Sequence, residues 1–440
     1  MKLSKLLLAT SSALVLTVTG ALADNNAAYL DQTGDGNSAL VQQSGSNNLA
    51  GSSTAVRRMT QNGASNELDI VQSGDFNRIG NTGSGGNLGL DQNGNFNSAL
   101  ITQSSNYSYV NQVQQNASSS GTAVSNTLSI VQSEPAPSNV KGNVISTVSQ
   151  TNTGDGSDAI NANSVSITQN RSINTGNGGF GSNVIALQNV GGNTADRGQR
   201  LTGGVIQNGQ RNTASLDQDG GGNLIREVNQ QGHDNAATVS QEGLRNGTVF
   251  SGAASQVGSI QSSVLQSGMG NDADIAMIGN DNGFGITQDG NSNSAANIIL
   301  MGNDNQLGVY QVGNDNTLSL GTVLGNGNNV GVEQVGDTNL ASLSITGNDN
   351  GSGLGFSGNA SIAAELLPSG IISQSGDLNT ASLTVIGNFN AFTLASNGNS
   401  NTITGNMTGS NNQAAVVQVG DMNVASFNQL GSGNNAGIMQ

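Results

Sequence analysis

The chain has 440 residues, a formal net charge of −16, no Cys, no Trp, and 64 Gly that with Asn and Gln fill over a third of its length. Its hydrophobic share of 34% lies well below the roughly 45–50% of ordinary soluble domains, which excludes a large aliphatic or aromatic core. The missing Cys excludes disulfide frameworks and Cys-based zinc or redox sites, and the acidic balance argues against nucleic acid or an anionic membrane as the main partner.

Residues 1–23 read as a secretory signal peptide. Lys2 and Lys5 precede an apolar stretch from Leu6 to Val18, and Ala21-Leu22-Ala23 supplies small residues before Asp24. The apolar run is too short and broken for a membrane span, and no later segment approaches ~18 apolar residues. The mature chain is therefore expected outside the cytoplasm.

From residue 24 the text Gln-x-Gly-x-x-Asn recurs. In 24–103 it starts at Gln32, Gln43, Gln61, Gln72 and Gln92, and its closing residues include Asn37 and Asn97. In 207–440 it starts at Gln207, Gln218, Gln230, Gln241, Gln266, Gln288, Gln311, Gln334, Gln374, Gln418 and Gln429. Asn212, Asn235, Asn423 and Asn434 close some of these copies. Between them lie units in which Met277, Leu300, Val323, Ile345, Val385 or Met407 takes the Gln place, the last closing at Asn412. From 374 every marker follows the previous one by 11 residues, ending on Gln440. Such regularity over this length is a structural repeat and not a by-product of composition.

After each Asn the chain reads Asn-x-Ala-x-Φ-x-Gln, with Φ apolar, as in Asn97-Ser98-Ala99-Leu100-Ile101-Thr102-Gln103. Ala, Φ and Gln at i, i+2 and i+4 share one face of a strand, whereas a helix would scatter them and suffer from the Gly content. Gly and Asn reach positive φ cheaply, so Gly-x-x-Asn supplies the tight turn. One strand and one turn make 11 residues, and two such units return the chain to its starting side. The predicted fold is all-β, a solenoid of stacked strand–turn–strand repeats with about 22–23 residues per coil. Gln266, Gln288, Gln311 and Gln334 then fall in one column and Met277, Leu300, Val323 and Ile345 in the other. One inner face carries a Gln ladder and the opposite face an aliphatic one, with amide stacking supplementing a thin core.

The segment 104–206 is degenerate. Gln114, Gln132, Gln150, Gln169, Gln188 and Gln207 step by 18 or 19, which reads as a strand unit plus a seven- or eight-residue excursion. Pro135 and Pro137 sit in one excursion; 247–265 and 357–373, with Pro368, are further interruptions. Elsewhere the chemistry is bland. Gly176-Asn177-Gly178-Gly179-Phe180-Gly181 fits a dinucleotide loop but lacks the strand–helix context and a downstream acidic partner. His233 is read as a solvated turn residue without a second His to make an acid–base or metal pair. Asp35, Asp75, Asp337, Asp377 and Asp421 follow the turn Gly, and Asp281, Asp304, Asp315 and Asp349 sit in Gly-Asn-Asp-Asn; these read as turn formers and charge gatekeepers. A calcium solenoid would need a Gly-Gly-x-Gly-x-Asp repeat that is absent. Arg57-Arg58 and Arg197 with Arg200 read as flanks of irregular loops. No catalytic residues, cofactor or metal are expected, and no enzyme.

The repeat resembles the curlin repeats of bacterial curli fibres, whose consensus is close to Ser-x5-Gln-x-Gly-x-Gly-Asn-x-Ala-x3-Gln. Gln32-Thr33-Gly34-Asp35-Gly36-Asn37-Ser38-Ala39-Leu40-Val41-Gln42-Gln43 follows it apart from the leading Ser, and 429–440 does so equally well. The resemblance covers 24–103 and 207–440. It implies a secreted, amyloid-forming subunit of the biofilm matrix, passed through a dedicated outer-membrane channel and nucleated at the cell surface. It also implies that the Gln and Asn markers drive fibre growth. The expected partner is the chain itself, with curli-type secretion and nucleation proteins, and with neither nucleic acid nor a membrane span. From the residues alone, the final strand ends on a marker and neither end shows a capping segment, which suits a self-templating edge. A monomeric solenoid adhesin is the alternative, and an ice-binding face is disfavoured by the mixed outer residues.

Overall fold

The computed structural model describes residues 13–17, 24–52, 58–80, 89–104, 106–117, 126–133, 143–152, 162–170, 184–185, 204–351, 353–365 and 367–440. Lys2, Lys5, residues 21–23, Arg57, Pro135, Pro137, residues 176–181, Gln188, Arg197 and Arg200 lie outside them. The chain forms two compact units, Met1–Asp234 and Asn235–Gln440.

The C-terminal unit shows the repeat in its regular form. In the strand Thr380–Ile386, Ala381, Leu383 and Val385 are buried while the alternate residues look outward, as the period of two requires. Successive strands alternate between two sheets, and all strand pairings within each sheet are parallel. Sheet A holds Ala236–Leu244, Asp272–Ile278, Ser294–Met301, Thr317–Leu324, Leu340–Thr346, Thr380–Ile386, Thr402–Thr408 and Val424–Leu430. Sheet B holds Ser263–Met269, Gly283–Asp289, Gln306–Val312, Asn329–Val335, Ile371–Ser375, Ala391–Asn397, Gln413–Val419 and Asn435–Met439. The expected register is observed: Gln266 pairs with Gln288, Gln288 with Gln311 and Gln311 with Gln334. Their separations of 22, 23 and 23 residues are the coil lengths. A coil gains its 23rd residue through a bulge. The register shifts between Ala273 and Ile275 where the facing strand carries Asn297 at φ 59°, and again between Ser319 and Gly321.

The turns explain the glycine. Gly313 has φ 113°, and a Cβ placed on it would lie 2.1 Å from the carbonyl oxygen of Gly336 in the next coil. Glycine there answers both the backbone angle and the close approach of two stacked turns. Two residues on, Asp315 occupies the left-handed region at φ 57°.

The N-terminal unit likewise alternates between two parallel sheets, with coils that are mostly longer. Its sheet A runs Ala13–Thr17, Ser38–Ser44, Glu67–Ser73, Asn97–Gln103, Asn126–Ser133, Asn163–Asn170 and Thr213–Gly221, so a strand from within residues 1–23 lies beside Ser38–Ser44. Sheet B strands are often split, as in Leu49–Ala50 with Met59–Asn62 and Arg78–Ile79 with Leu90–Asn93. Residues inserted between the halves stretch the coil to 29 residues from Gln32 to Gln61 and 31 from Gln61 to Gln92. The expected 22–23 residues thus hold in the C-terminal unit outside its two inserts, where the coil spans 36 residues from Asn246 to Asn282 and 40 from Gln334 to Gln374. Here they hold from Gln92 to Gln115 and from Gln207 to Gln230, and other coils are longer. Further on the coil grows to 35 residues from Gln115 to Gln150 and 37 from Gln132 to Gln169. Steps of 18 or 19 are therefore half-coils as far as Gln169, whereas the next coil, from Gln150 to Gln207, spans 57 residues, three such steps. Strand register survives, with Ile101, Ile130 and Ile167 stacked, while the excursions lie outside the described residues. The ladder member is Gln115 and not Gln114, because Gln115 stands two residues beyond buried Val113 on the inward face.

The core is narrow: two apolar rows flanked by buried amides, such as Ala99 with Ile101, and three rows in sheet A of the C-terminal unit, where Val385 follows Ala381 and Leu383. At one point in the C-terminal unit the row changes hands. Gly405 stands between Leu383 and Phe427, and the Phe427 ring fills the space a Cβ there would need, 2.3 Å away.

Candidate assembly site: stacked amide ladders

Where the inward Gln recurs in successive coils of a sheet, its carboxamide meets its counterpart in the next coil. Gln288 Nε2 donates to Gln311 Oε1 at 2.9 Å and also to the carbonyls of Asp272 at 2.9 Å and Asn293 at 3.0 Å. Gln311 repeats the pattern toward Gln334 at 2.8 Å, and Gln334 toward Gln374 at 2.9 Å. Each of these three buried amides is satisfied, which is the condition for burying it at all. The bonds have one polarity: Nε2 always points to the following coil and Oε1 to the preceding one.

The N-terminal unit corrects the expected division into one amide and one aliphatic column. Both of its columns are Gln. In sheet B the chain of donors runs Gln32, Gln61, Gln92, Gln115, Gln150, Gln207 and Gln230. In sheet A it runs Gln43, Gln72, Gln103, Gln132, Gln169 and Gln218. The mixed arrangement belongs to the C-terminal unit. There Gln241 stands in register with Met277, followed by Leu300, Val323, Ile345, Val385 and Met407 before Gln429 restores the amide. Sheet B keeps its Gln except at Ser396, between Gln374 and Gln418; Gln418 in turn donates to Gln440 at 2.8 Å. Gln429 marks a defect: the residue before it in its column is Met407, and its Oε1 is buried without a hydrogen-bond partner.

The closing asparagines form a second ladder of opposite polarity. Asn66 N donates to Asn37 Oδ1 at 3.0 Å and Asn97 N to Asn66 Oδ1 at 3.0 Å. Asn212 follows Asn163, Asn271 follows Asn235, Asn412 follows Asn390, Asn423 follows Asn401 and Asn434 follows Asn412 in the same way. The Nδ2 groups cap turn carbonyls, as Asn316 does for Gly336 at 2.7 Å.

Sequence reasoning missed a third ladder. The residue after the turn Gly uses Oδ1 to accept the backbone N–H of the same position one coil earlier. Asn291 donates to Asn314, Asn314 to Asp337, Asp337 to Asp377, Asp377 to Asn399 and Asn399 to Asp421, at 2.7–3.1 Å. Asp337, Asp377 and Asp421 are thus inter-coil acceptors, a role beyond turn formation. Asp75 accepts from Ser46 in the same manner. The available signal was the unbroken use of Asn or Asp at that place from Asn280 to Asn399.

Charged groups sit on the outside. Arg58 pairs with Asp31, Arg211 with Asp234 and Arg245 with Asp281. The hydrogen bond from Arg211 holds the Asp234 carboxyl below its ordinary value. Burial pushes Asp69, Asp217 and Asp272 up, and the neighbouring carboxylates Glu67, Asp219 and Asp274 add to it. His233 is half-buried rather than solvated, with Nδ1 lacking a partner. Among the described residues no cluster of three His, Cys, Asp or Glu could hold a metal, and no helix is long and apolar enough to cross a membrane.

Parallel strands alternating between two sheets and stapled by amide ladders define a β-solenoid repeat protein. Residues 23–51 match the family model described as curlin associated repeat, so the chain carries a repeat of the curlin family at its start. The family is a structural one. No curated protein matches the chain.

Proposed function

We propose that the chain is a secreted structural subunit that self-assembles into extracellular, curli-like amyloid fibres serving a biofilm matrix and surface adhesion. Residues 1–23 would direct export, and a curli-type outer-membrane channel and surface nucleator would be its secretion partners. The observation that carries this reading is ladder polarity. A coil with a ladder Gln offers a carboxamide donor on one side and an acceptor on the other, bonded at 2.6–3.1 Å to its neighbours. A coil of a second copy continues the stack as well as the next coil of the same chain does. Such head-to-tail contacts do not close on themselves and so build filaments. The Gln columns and the Asn37, Asn97, Asn212, Asn235, Asn412, Asn423 and Asn434 positions are the assembly residues in this reading.

Sedimentation and negative-stain microscopy of residues 24–440 test it. Fibres binding an amyloid dye are expected at micromolar concentration. A species that stays monomeric there would overturn the reading in favour of a solenoid adhesin.

A further inference from the structure

Two straps interrupt the strand repeat of the C-terminal unit. The first leaves sheet A after Leu244, forms the short helix α1 (Gly252–Gln256) and enters sheet B at Ser263. The second leaves after Thr346, forms α2 (Gly358–Ala364) and enters sheet B at Ile371. Ser251 and Ser357 stand at the N-caps, where a serine side chain ordinarily accepts an N–H of the first turn, yet neither makes that bond. Distant coils cap the helices instead. Ala254 N donates to Asn329 Oδ1 at 2.9 Å, Asn329 Nδ2 to the Ser251 carbonyl at 2.9 Å, and Ser251 N to Gln306 Oε1. Ala360 N likewise donates to Asn435 Oδ1 at 2.8 Å, Asn435 Nδ2 to the Ser357 carbonyl at 2.7 Å, and Ser357 N to Gln413 Oε1 at 2.7 Å. Gly308, Gly331 and Gly437 give the straps room for this approach: a Cβ at each would lie 2.0–2.4 Å from a strap carbonyl oxygen.

The capping residues stand at fixed places. Gly247, where the first strap departs, donates its N–H to the Asn282 carbonyl and so lies beside Gly283, and the same column continues to Gln306 and Asn329. Gly351, where the second departs, donates to the Asn390 carbonyl and lies beside Ala391, and that column continues to Gln413 and Asn435. Each strap therefore meets Gln on the second coil from its root and Asn on the third. Gly283 and Ala391, on the first coil, offer no amide.

The ladders themselves carry no such address. If the coil 380–401 were passed over, Ile345 would meet Met407 in place of Val385, and Asn350 would meet Asn412 in place of Asn390. Gln374 would meet Gln418 in place of Ser396, which exchanges a hydroxyl for a matching amide. Every buried row accepts the wrong coil. The omitted coil loses its own pairing and burial, so the native order wins at equilibrium, but nothing in the ladders rejects an error at the moment a coil docks. Such misassembly is the characteristic hazard of repeat chains. The strap does reject it. With 380–401 passed over, Gln413 and Asn435 would stand on the first and second coils from Gly351, one place short of where α2 is capped.

We propose that the straps are order locks: each helix is completed only when a coil with this Gln and then a coil with this Asn occupy the second and third places from its root, so that docking selects the native order among near-identical coils during folding. Helices of five and seven residues do not hold by themselves, so their formation depends on these caps. The Gln306–Asn329 and Gln413–Asn435 pairs are the residues that specify the order.

The chain has no Cys, so paired cysteines report coil order without background. Ser342 and Thr404 stand two coils apart on the outer side of sheet A, with Ser382 between them. At the spacing of paired strands they are about 9–10 Å apart, beyond the ~7 Å reach of a disulfide. Passing over 380–401 makes them neighbours. Residues 24–440 carrying Ser342→Cys and Thr404→Cys are refolded from denaturant under oxidising conditions, and the disulfide in the monomeric fraction is measured by mass spectrometry. Ser342→Cys with Ser382→Cys, neighbours in the native order, calibrates full yield. With the strap receptors intact the 342–404 disulfide is expected to stay at background. Adding Gln413→Ala and Asn435→Ala is expected to raise it several-fold. A strap that only clamps finished coils would lower the melting temperature of this variant with no rise in the disulfide, and that result overturns the proposal. Should the variant fail to refold, Asn435→Asp, which keeps the acceptor for Ala360 and loses the donor to the Ser357 carbonyl, is held to the same two outcomes.

Discussion

At the residue scale, the two Gln environments make opposite predictions. Gln311 sits in an unbroken column, so Gln311→Leu leaves the buried Gln334 Oε1 without the donor it now has. The expected loss is about 1–3 kcal/mol, read from denaturant unfolding. Gln429 already carries an unpartnered Oε1 beneath Met407, so Gln429→Met is expected to raise the melting temperature. It should at the same time slow fibre growth, because it removes a carboxamide from the proposed assembly face; faster growth would count against that face. Gly313→Ala meets both a positive φ and the Gly336 carbonyl, and its cost should exceed about 1 kcal/mol in the same assay. Marker residues such as Gln288 and Asn293 were legible because a fixed period by itself assigns each of them to a column. The acceptor role of Asp337 and Asp377 was not, since turn chemistry explains an Asp after Gly equally well. Gln115 was misplaced by one because the pair Gln114-Gln115 offers two equivalent amides, and only burial of Val113 decides between them.

At the element scale, the strand is tolerant of length but not of phase. In Ser294–Met301 the inward residues are Ala295, Ile298 and Leu300, and Asn297 is the extra one, held at φ 59°. Deleting Asn297 restores strict alternation in step with Ala273, Ile275 and Met277. The shortened protein should fold with an unchanged or higher melting temperature. Deleting Ser344 from the regular strand Leu340–Thr346 turns Ile345 outward instead and should lower it sharply. Strands and turns could be read from Ala-x-Φ-x-Gln and Gly-x-x-Asn, because each rests on local stereochemistry. The straps could not. Their helices are too short for a periodic signal, and their anchors, Gln306 and Asn329, lie 55 and 75 residues from the groups they accept from.

At the scale of the whole molecule, the charge of −16 and the perturbed carboxyls act in one direction. Asp69, Asp217 and Asp272 hold their protons more tightly folded than unfolded. Their contribution to stability is therefore complete below the ordinary carboxylate range and is lost as pH rises through the raised values. Asp234 has the opposite sign, stabilising at neutral pH and losing this as pH falls through its lowered value. Acidification from neutrality into the upper carboxylate range should raise the melting temperature, and Asp272→Asn should raise it at pH 7 and flatten the profile. Fibre growth should accelerate along the same path as self-repulsion fades toward the sequence pI of about 4.1; lag times that lengthen would count against charge as the brake. The outer acceptor column has a consequence for an ageing deposit. Asn326-Gly327 is the kind of dipeptide most prone to deamidation, and Asn326 accepts the Asn303 N–H through Oδ1, a task that Asp337 and Asp377 perform as carboxylates in the neighbouring column. Conversion to aspartate there keeps the rung. The same conversion at Asn316 would remove the Nδ2 that caps Gly336, so old material should accumulate chemical damage on its rim before it loosens inside.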